Sequence, residues 1–202
     1  MKKSIVFDFG QVLIQWSPYF LYRKLLPSDE AIREFLEEIK FNEFNPRMDA
    51  GYSFEQTRAE VLSRHPGKRD LADGFFSRWT ECSGEPNQDV VALMRELKRA
   101  GYPVYGLSNW SAETFAWVKP RYPFLEELDY YLISGMVGEV KPGEKIYRLF
   151  LERVGKRAQE CVFIDDSPAN IEAARRLGFT GILFTSPEQL RLDLQTMGIL
   201  QA

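Results

Sequence analysis

The chain has 202 residues, of which 45% are hydrophobic and 27% charged, values that exclude the disordered and fibrous classes. The 26 basic and 29 acidic residues give a net charge of -3, and no long run of Lys and Arg is present. Nucleic acid is therefore not an expected partner. The length predicts one core with an elaboration rather than two independent domains.

The N-terminal segment and the cysteines indicate the compartment. The apolar run that starts at Ser4 meets Asp8 well before the length of a signal-peptide core, so we expect no export signal. We find no apolar stretch near the roughly 18 residues of a membrane span. Cys82 and Cys161 lie in ordinary segments and predict no disulfide framework. We expect a cytoplasmic protein, a monomer or a homodimer, without a membrane partner.

Five short runs rich in β-branched and aromatic residues alternate with helical patterns. They lie at residues 4–9, 103–108, 129–134, 160–165 and 180–185. Strands that alternate with helices predict a parallel sheet covered by helices on both faces, and near-continuous apolar strands fit that burial. The expected fold class is therefore α/β, with about five parallel strands flanked by helices.

Residues 16–86 lie between the first two predicted strands and have helical patterns. Residues 29–40 place apolar side chains on one face, and residues 53–64 begin with a Ser-x-x-Gln capping box. We therefore predict a helical cap at 16–86, inserted after the first strand. Residues 1–15 and 87–202 would form the core.

Helix signals after the insertion locate an acidic pair. Residues 87–100 predict an amphipathic helix that Gly101 ends. Ser167 and Pro168 form a helix start, because a capping hydroxyl precedes a proline that suits the first helical position. Asp165 and Asp166 must then lie in the turn between a strand and this helix.

Polar residues follow four of the predicted strands, where ligands of a parallel sheet bind. They are Asp8, Ser108, Asn109, Lys141, Asp165 and Asp166. Three carboxylates repel one another unless a hard cation lies between them, and Mg²⁺ is the expected cation. Because Mg²⁺ keeps positions for phosphate oxygens, and because an ammonium and a hydroxyl are nearby, the cluster predicts phosphoryl chemistry.

The order of these segments carries a resemblance to a known family. The motifs FDFGQVLI, LSNW, VKP and FIDDSPANIEAA resemble the four signatures of the haloacid dehalogenase-like hydrolase superfamily. Within it the chain looks most like bacterial sugar phosphatases of the glucose-1-phosphate phosphatase type. The resemblance implies a Rossmann-like core with a small helical cap. It also implies a magnesium-dependent phosphatase that acts on a small phosphorylated metabolite, with a sugar phosphate favoured.

The resemblance also implies roles for the residues around the phosphate. Asp8 matches the nucleophile that forms an aspartyl-phosphate intermediate. Ser108 matches the phosphate donor of the second motif, and we expect Asn109 beside it and Gly10 to bind the phosphate as well. Lys141 matches the lysine that neutralises charge.

The metal ligands are implied in the same way. Asp166 matches a carboxylate that binds Mg²⁺ together with Asp8, and Asp165 matches an outer partner of the metal. Gly10 would contribute its main-chain carbonyl. Asn170 stands where many members carry a further aspartate, so we expect a hydrogen bond to the metal shell at most.

Gly10 is also the main departure from the family pattern. Most phosphatases of the superfamily have an aspartate there, which protonates the leaving group and later activates water. The loss of such an acid ordinarily costs about 10²–10⁴-fold in rate. Three interpretations stay open: a leaving group that needs little protonation, an acid supplied by the cap, or a catalytically weak regulatory protein that binds metal and phosphate.

A 2-haloacid dehalogenase is the other alternative within the superfamily. Those enzymes resemble this chain at Asp8, Ser108, Asn109 and Lys141, and they need no metal. They lack the adjacent acidic pair, so Asp165 and Asp166 favour magnesium and phosphate.

Four further residues are candidates for substrate specificity. Trp16 and Tyr19 lie at the start of the predicted cap, Arg47 lies in a predicted cap loop, and Trp110 follows the phosphate motif. The alternative for the three aromatic side chains is ordinary packing in the core.

Overall fold

The helices and strands of the computed structural model cover the predicted core and insertion, and the structure describes residues 2–201. The strands are β1 (Ser4–Phe7), β2 (Ile14–Trp16), β3 (Ser83–Pro86), β4 (Val104–Ser108), β5 (Tyr130–Ile133), β6 (Cys161–Asp165) and β7 (Thr180–Leu183). The α-helices are α1 (Pro18–Tyr22), α2 (Asp29–Glu38), α3 (Phe41–Asp49), α4 (Phe54–Arg64), α5 (Arg69–Ser77), α6 (Gln88–Arg99), α7 (Ala112–Val118), α8 (Glu144–Val154), α9 (Pro168–Arg176) and α10 (Pro187–Thr196). Within residues 2–201, none of these helices is long and apolar enough to cross a bilayer.

The main sheet has five parallel strands in the order β5-β4-β1-β6-β7. Ile5 on the central strand pairs with Val104 on one side and with Val162 on the other. This arrangement confirms the predicted fold class. The observed strands are one or two residues shorter than predicted, and β1 ends at Phe7 rather than at position 9.

Helices cover both faces of the sheet, which explains why its strands are apolar throughout. Ile5 and Phe7 belong to one buried hydrophobic cluster and Val6 belongs to the other. Helices α6 and α10 contribute Val90 and Leu190, among others, to the first cluster. Helices α8 and α9 contribute to the second. Alternate side chains of β1 thus point to opposite faces.

The segment between β1 and β4 is mostly helical, but its ends are strands. Helices α1 to α5 all lie between β2 and β3, and we call the segment from β2 to β3 the insertion. Strands β2 and β3 pair antiparallel, with Ile14 opposite Pro86 and Trp16 opposite Ser83. The prediction of a purely helical segment was wrong at these two ends. The division of the chain at positions 16 and 86 stays a prediction.

Helix α3 was not predicted, and it changes the setting of Arg47. Phe41, Phe44 and Met48 are buried along one face of this helix, and Pro46 lies inside it. Arg47 therefore lies in a helix and not in a loop. Burial of three large apolar side chains outweighs the cost of a proline in the helix interior.

Candidate active site

Lys141 lies at the centre of a buried ion cluster. Its ammonium nitrogen is 2.9 Å from Oδ1 of Asp8 and 2.7 Å from Oδ2 of Asp165. It also donates a hydrogen bond of 2.8 Å to the main-chain carbonyl of Leu107. Burial opposes the charge on Lys141, but the charges of Asp8 and Asp165 outweigh burial and raise its pKa. The lysine is therefore a fixed positive charge beside Asp8.

Asp8 follows β1 directly and is almost fully buried. The main-chain N–H of Phe9 donates to Oδ1 of Asp8 at 2.7 Å, and the N–H of Asp8 donates to the carbonyl of Ile164 at 2.9 Å. Burial raises the pKa of Asp8 to about 7, against the opposing charge of Lys141. A desolvated carboxylate at the end of a strand, held in a single orientation, has the properties of a nucleophile.

Asp165 and Asp166 differ in their surroundings although they are adjacent. Asp165 is fully buried and accepts hydrogen bonds from Lys141, from the side-chain amide of Asn170 at 3.0 Å and from the main-chain N–H of Ser167 at 2.8 Å. Asp166 is exposed. Removal from water and the charge of Asp165 raise its pKa. Asp166 is thus the member of the pair that is open to a ligand.

These carboxylates are close enough to share a cation. One oxygen each from Asp8, Asp165 and Asp166 lies within 4.8 Å of the others. Oxygen ligands in this number suit a hard divalent cation such as Mg²⁺. The three side chains therefore fit the metal site that the sequence predicts. The hydrogen bonds that Asp165 already accepts favour an outer position for it.

Ser108 and Asn109 end β4 beside this cluster. Ser108 is buried, and its hydroxyl is one of the groups that lower the pKa of Asp8. Asn109 uses both ends of its amide on Lys141: Nδ2 donates to the Lys141 carbonyl at 2.9 Å, and Oδ1 accepts from the Lys141 N–H at 2.9 Å. Asn109 therefore holds the main chain that carries the lysine.

A pocket lies between the insertion and the core, and we call it the tryptophan pocket. Its lining residues are Gly10, Gln11, Trp16, Asn45, Met48, Asp49, Trp79, Asn109, Trp110, Ser111 and Thr114. Two of the predicted specificity residues, Trp16 and Trp110, are in its wall. Their indole Nε1 atoms are buried and have no hydrogen-bond partner among the described residues. Unpaired buried donors are costly, so an acceptor oxygen that reached either N–H group would stabilise it.

The other two specificity candidates lie outside the tryptophan pocket. Tyr19 is on α1, where the guanidinium of Arg23 lies 5.8 Å from its ring centre. Arg47 makes a two-point ion pair with Glu60, with both hydrogen bonds at 3.0 Å, and its guanidinium lies 4.9 Å from the ring centre of Tyr52. Arg23 and Arg47 thus both interact with other residues of the insertion.

Asp49 is a polar residue of the tryptophan pocket that sequence reasoning missed. It ends α3, and the Ser134 hydroxyl donates to its main-chain carbonyl at 2.6 Å. Burial raises the pKa of its side chain to about 7, against a smaller opposing effect of the Ser111 main-chain N–H. The sequence shows only that Asp49 lies at a helix end before Gly51. This position by itself does not indicate a catalytic or binding role.

The arrangement of nucleophile, lysine and acidic pair can be compared with known proteins. Residues 2–178 match the haloacid dehalogenase-like hydrolase family. The chain belongs to this family. Its place in the family explains why the polar residues that end β1, β4 and β6 meet at one edge of the sheet, together with Lys141.

Two phosphatases are similar to this haloacid dehalogenase-like hydrolase along most of their length. A sesquiterpene phosphatase of Aspergillus oryzae is 26% identical over 197 residues, which is 96% of each chain. A D-ribitol-5-phosphate phosphatase of Bacteroides thetaiotaomicron is 23% identical over 190 residues, 89% of this chain and 90% of the relative. These relatives support a phosphohydrolase.

A solved structure has the same fold. The Asp-to-Ala variant of a family enzyme from Bacteroides thetaiotaomicron, crystallised with magnesium and inorganic phosphate, superposes with a TM-score of 0.72. The superposition covers 92% of this chain and 95% of that one, at 22% identity. At this identity the likeness establishes the fold alone.

Proposed function

We propose that the protein is a magnesium-dependent phosphatase that hydrolyses a small phosphorylated metabolite, with a sugar phosphate favoured, through an aspartyl-phosphate on Asp8. The observation that carries this proposal is the buried Asp8 carboxylate held 2.9 Å from the Lys141 ammonium, within the three-carboxylate cluster. Phosphatases among the relatives support the reaction class. The magnesium in the Bacteroides enzyme structure supports the metal.

Each residue of the cluster has its own role in phosphoryl transfer. A carboxylate oxygen of Asp8 attacks phosphorus as the bond to the leaving oxygen breaks, and water later cleaves the aspartyl-phosphate. Lys141 stabilises negative charge on the transferring group, and Ser108 donates to one of its oxygens. Asp8, the Gly10 carbonyl and Asp166 would hold Mg²⁺, which would supply further positive charge to the phosphate. Asn109 keeps Lys141 in place.

The wall of the tryptophan pocket bears on the substrate class. The unpaired N–H groups of Trp16 and Trp110 favour a leaving group that presents acceptor oxygens, as a sugar or a polyol does. The faces of indole rings also suit the C–H side of a sugar ring. A phosphorylated alcohol with an apolar body is a second candidate, because Met48 and three tryptophans contribute large apolar side chains to this wall.

A metabolite panel tests the proposal. Sugar 1-phosphates, sugar 6-phosphates, polyol phosphates and an isoprenoid phosphate are assayed for phosphate release with Mg²⁺ and with EDTA, beside a 2-haloacid assayed for halide. We expect release of phosphate that depends on Mg²⁺. Release of halide without metal would support the dehalogenase alternative. Binding of Mg²⁺ and phosphate without turnover of any substrate would support the regulatory alternative.

The Asp8→Asn variant tests the nucleophile. It keeps the shape of the side chain but cannot attack phosphorus, so we expect no turnover and no acid-stable label from a ³²P-labelled substrate. Circular dichroism controls for folding. Glu43→Gln on α3 is the matched control, because Glu43 is an exposed carboxylate that pairs with Lys40. Wild-type turnover in Asp8→Asn contradicts the assignment.

A further inference from the structure

The reaction needs an acid that position 10 does not supply. Cleavage of an alkyl phosphate requires a proton on the leaving oxygen, and Gly10 has no side chain to donate one. The backbone does not demand glycine there, since Gly10 lacks a positive φ. A Cβ atom built on Gly10 meets nothing within 4 Å. The space that a side chain would fill is therefore open, and Gly10 lines the tryptophan pocket.

Asp49 brings a carboxyl group to this same pocket from the insertion. Among the described residues that line the tryptophan pocket, Asp49 alone has an ionisable side chain. The amide of Asn45, one turn earlier on α3, lies 3.5 Å from Oδ2 of Asp49. The other lining side chains are neutral, and three of them are tryptophans, so no other described residue of the lining carries a charge that would hold Asp49 ionised.

Two hydrogen bonds between the insertion and the core fix the position of Asp49. Ser134, which follows β5, donates from its hydroxyl to the main-chain carbonyl of Asp49 at 2.6 Å. A few residues further on, the N–H of Phe54 donates to Oε1 of Glu113 on α7 at 2.9 Å. A Cβ on Gly51 would lie 3.3 Å from the carbonyl oxygen of Gly135, so the chain between these anchors also lies close to the core. These contacts hold the main chain at and after Asp49 against the core, and the Ser111 N–H donates to the carboxyl group itself, so the group is positioned for chemistry.

We propose that Asp49 is the general acid and base of this enzyme, in place of the missing carboxyl group at position 10. The inference rests on the proposed function and adds a catalytic residue to it. The Asp49 carboxylic acid gives its proton to the bridging oxygen as the P–O bond breaks and the Asp8–phosphorus bond forms, so the alcohol leaves neutral. The Asp49 carboxylate then takes a proton from water as that water attacks phosphorus and the bond between phosphorus and the Asp8 oxygen breaks. Inorganic phosphate leaves, and both aspartates return to their starting states.

The electrostatic setting agrees with this role. Burial raises the pKa of Asp49 to about 7, so a large share of the group holds its proton at neutral pH. General acids work best when their pKa is near the working pH. Of the nearby charged groups, Arg47 on α3 is paired with Glu60, and Glu113 on α7 accepts from the Phe54 N–H. Neither arrangement supplies Asp49 with a cationic partner that would keep it ionised.

The experiment compares leaving groups of different acidity in Asp49→Asn. The probes are 4-nitrophenyl phosphate, whose leaving group needs no proton, and a series of alkyl and sugar 6-phosphates, whose leaving groups need one. We expect kcat/KM for the alkyl series to fall by about 10²–10⁴-fold, and for 4-nitrophenyl phosphate by less than about 10-fold. Glu43→Gln, from the same helix but outside the pocket, should match the wild type on both.

A second variant keeps the test independent of local folding. In the double variant G10D/D49N, a carboxyl group is returned to the open space at position 10. We expect kcat/KM of the double variant for alkyl phosphates to be at least about 10-fold higher than that of Asp49→Asn, since an acid again reaches the leaving oxygen. Asp49→Asn with an equal loss on both substrate types, or with no loss on the alkyl series, overturns the assignment.

The outcome also separates this inference from the proposed function. If the wild type cleaves 4-nitrophenyl phosphate and labels Asp8, while Asp49→Asn keeps the wild-type dependence on the leaving group, the phosphatase stands and Asp49 is not its acid. If the wild type cleaves neither type of phosphate, the proposed function and the role of Asp49 both fail.

Discussion

Asn109 and Lys141 are joined by two hydrogen bonds of 2.9 Å, one in each direction, between the amide of Asn109 and the main chain of Lys141. A side chain from the end of β4 thus fixes the loop that carries the lysine. The sequence predicted Asn109 as a phosphate-binding residue. Its occupied amide instead favours a positioning role, in which Asn109 acts on the phosphate through Lys141.

The Asn109→Asp variant distinguishes these two roles. The carboxylate still accepts from the Lys141 N–H but cannot donate to the Lys141 carbonyl, and the loss of one hydrogen bond costs about 1 kcal/mol. We expect kcat to fall by roughly 10-fold with KM nearly unchanged, since a misplaced lysine stabilises the transition state less. Steady-state kinetics check it. A higher KM at unchanged kcat would instead indicate that Asn109 binds the phosphate directly.

Asp165→Ala should destabilise the fold strongly. The change leaves the Asn170 amide and the Ser167 N–H without their acceptor and removes one of the two carboxylates paired with Lys141, and each buried polar group left unpaired costs about 1–3 kcal/mol. Urea unfolding measures the loss. Asp29→Ala is the control, because the ion pair between Asp29 and Arg23 is exposed and contributes little. Equal midpoints for the two variants would contradict a structural role of Asp165.

Trp16→Phe tests whether an indole N–H binds the substrate. The variant keeps an aromatic ring in the tryptophan pocket but removes the unpaired donor. We expect KM for a sugar or polyol phosphate to rise by about 2–10-fold, the effect of one hydrogen bond, and KM for phenyl phosphate to stay the same. Trp117→Phe is the control, since Trp117 is 46% exposed and lies outside the pocket. A parallel rise with both substrates would indicate lost packing.

Asp49→Asn should stabilise the fold in alkaline solution. The folded-state pKa of Asp49, about 7, lies above the ordinary value of 3.8, so ionisation disfavours the folded state. This cost grows as pH rises from about 4 to 7 and is complete above 7. We expect a Tm a few degrees higher than that of the wild type at pH 8, and a difference that shrinks towards pH 4. Calorimetry at several pH values checks it, and a pH-independent difference would show that Asp49 is not desolvated.

Gly106→Ala should destabilise the protein by overpacking. A Cβ at this position on β4 would lie 2.4 Å from a ring carbon of Phe9 and 2.9 Å from Cβ of Tyr131. Forced insertion of a methyl group into such a core costs about 1–3 kcal/mol. Gly67→Ala is the matched control, because a Cβ on Gly67 meets nothing within 4 Å. Unfolding midpoints in urea should separate the two variants, and equal midpoints would mean that the ring of Phe9 moves freely.

The part of the site that lies on the main sheet could be predicted from the sequence. Parallel strands end at one edge of a sheet, so the residues that follow them meet there whatever the rest of the fold does. Asp8 and Asp165 lie together for this reason. Their strands are apolar throughout because helices cover both faces, and this pattern is visible in the sequence.

The insertion could not be predicted to the same depth. Strands β2 and β3 have only three and four residues, too few for a periodic signal, and their pairing joins distant parts of the chain. Helix α3 contains Asn45 and Pro46, a pair that ordinarily indicates a turn. The setting of Asp49 depends on its contact with Ser134, and no local pattern encodes such a contact.

The pairing of β2 with β3 brings the two ends of the insertion together. The chain leaves the core through one strand and returns through its neighbour, with Ile14 opposite Pro86. The distance between the two ends of an inserted segment is thus set by the pairing of β2 with β3. It does not depend on the number of residues in the segment. A segment of another length or sequence, grafted between the same two strands, would leave the order of the main sheet intact. Recombination at these two positions would exchange the proposed acid Asp49 together with the substrate contacts of the insertion, while Asp8 and Lys141 stay as they are.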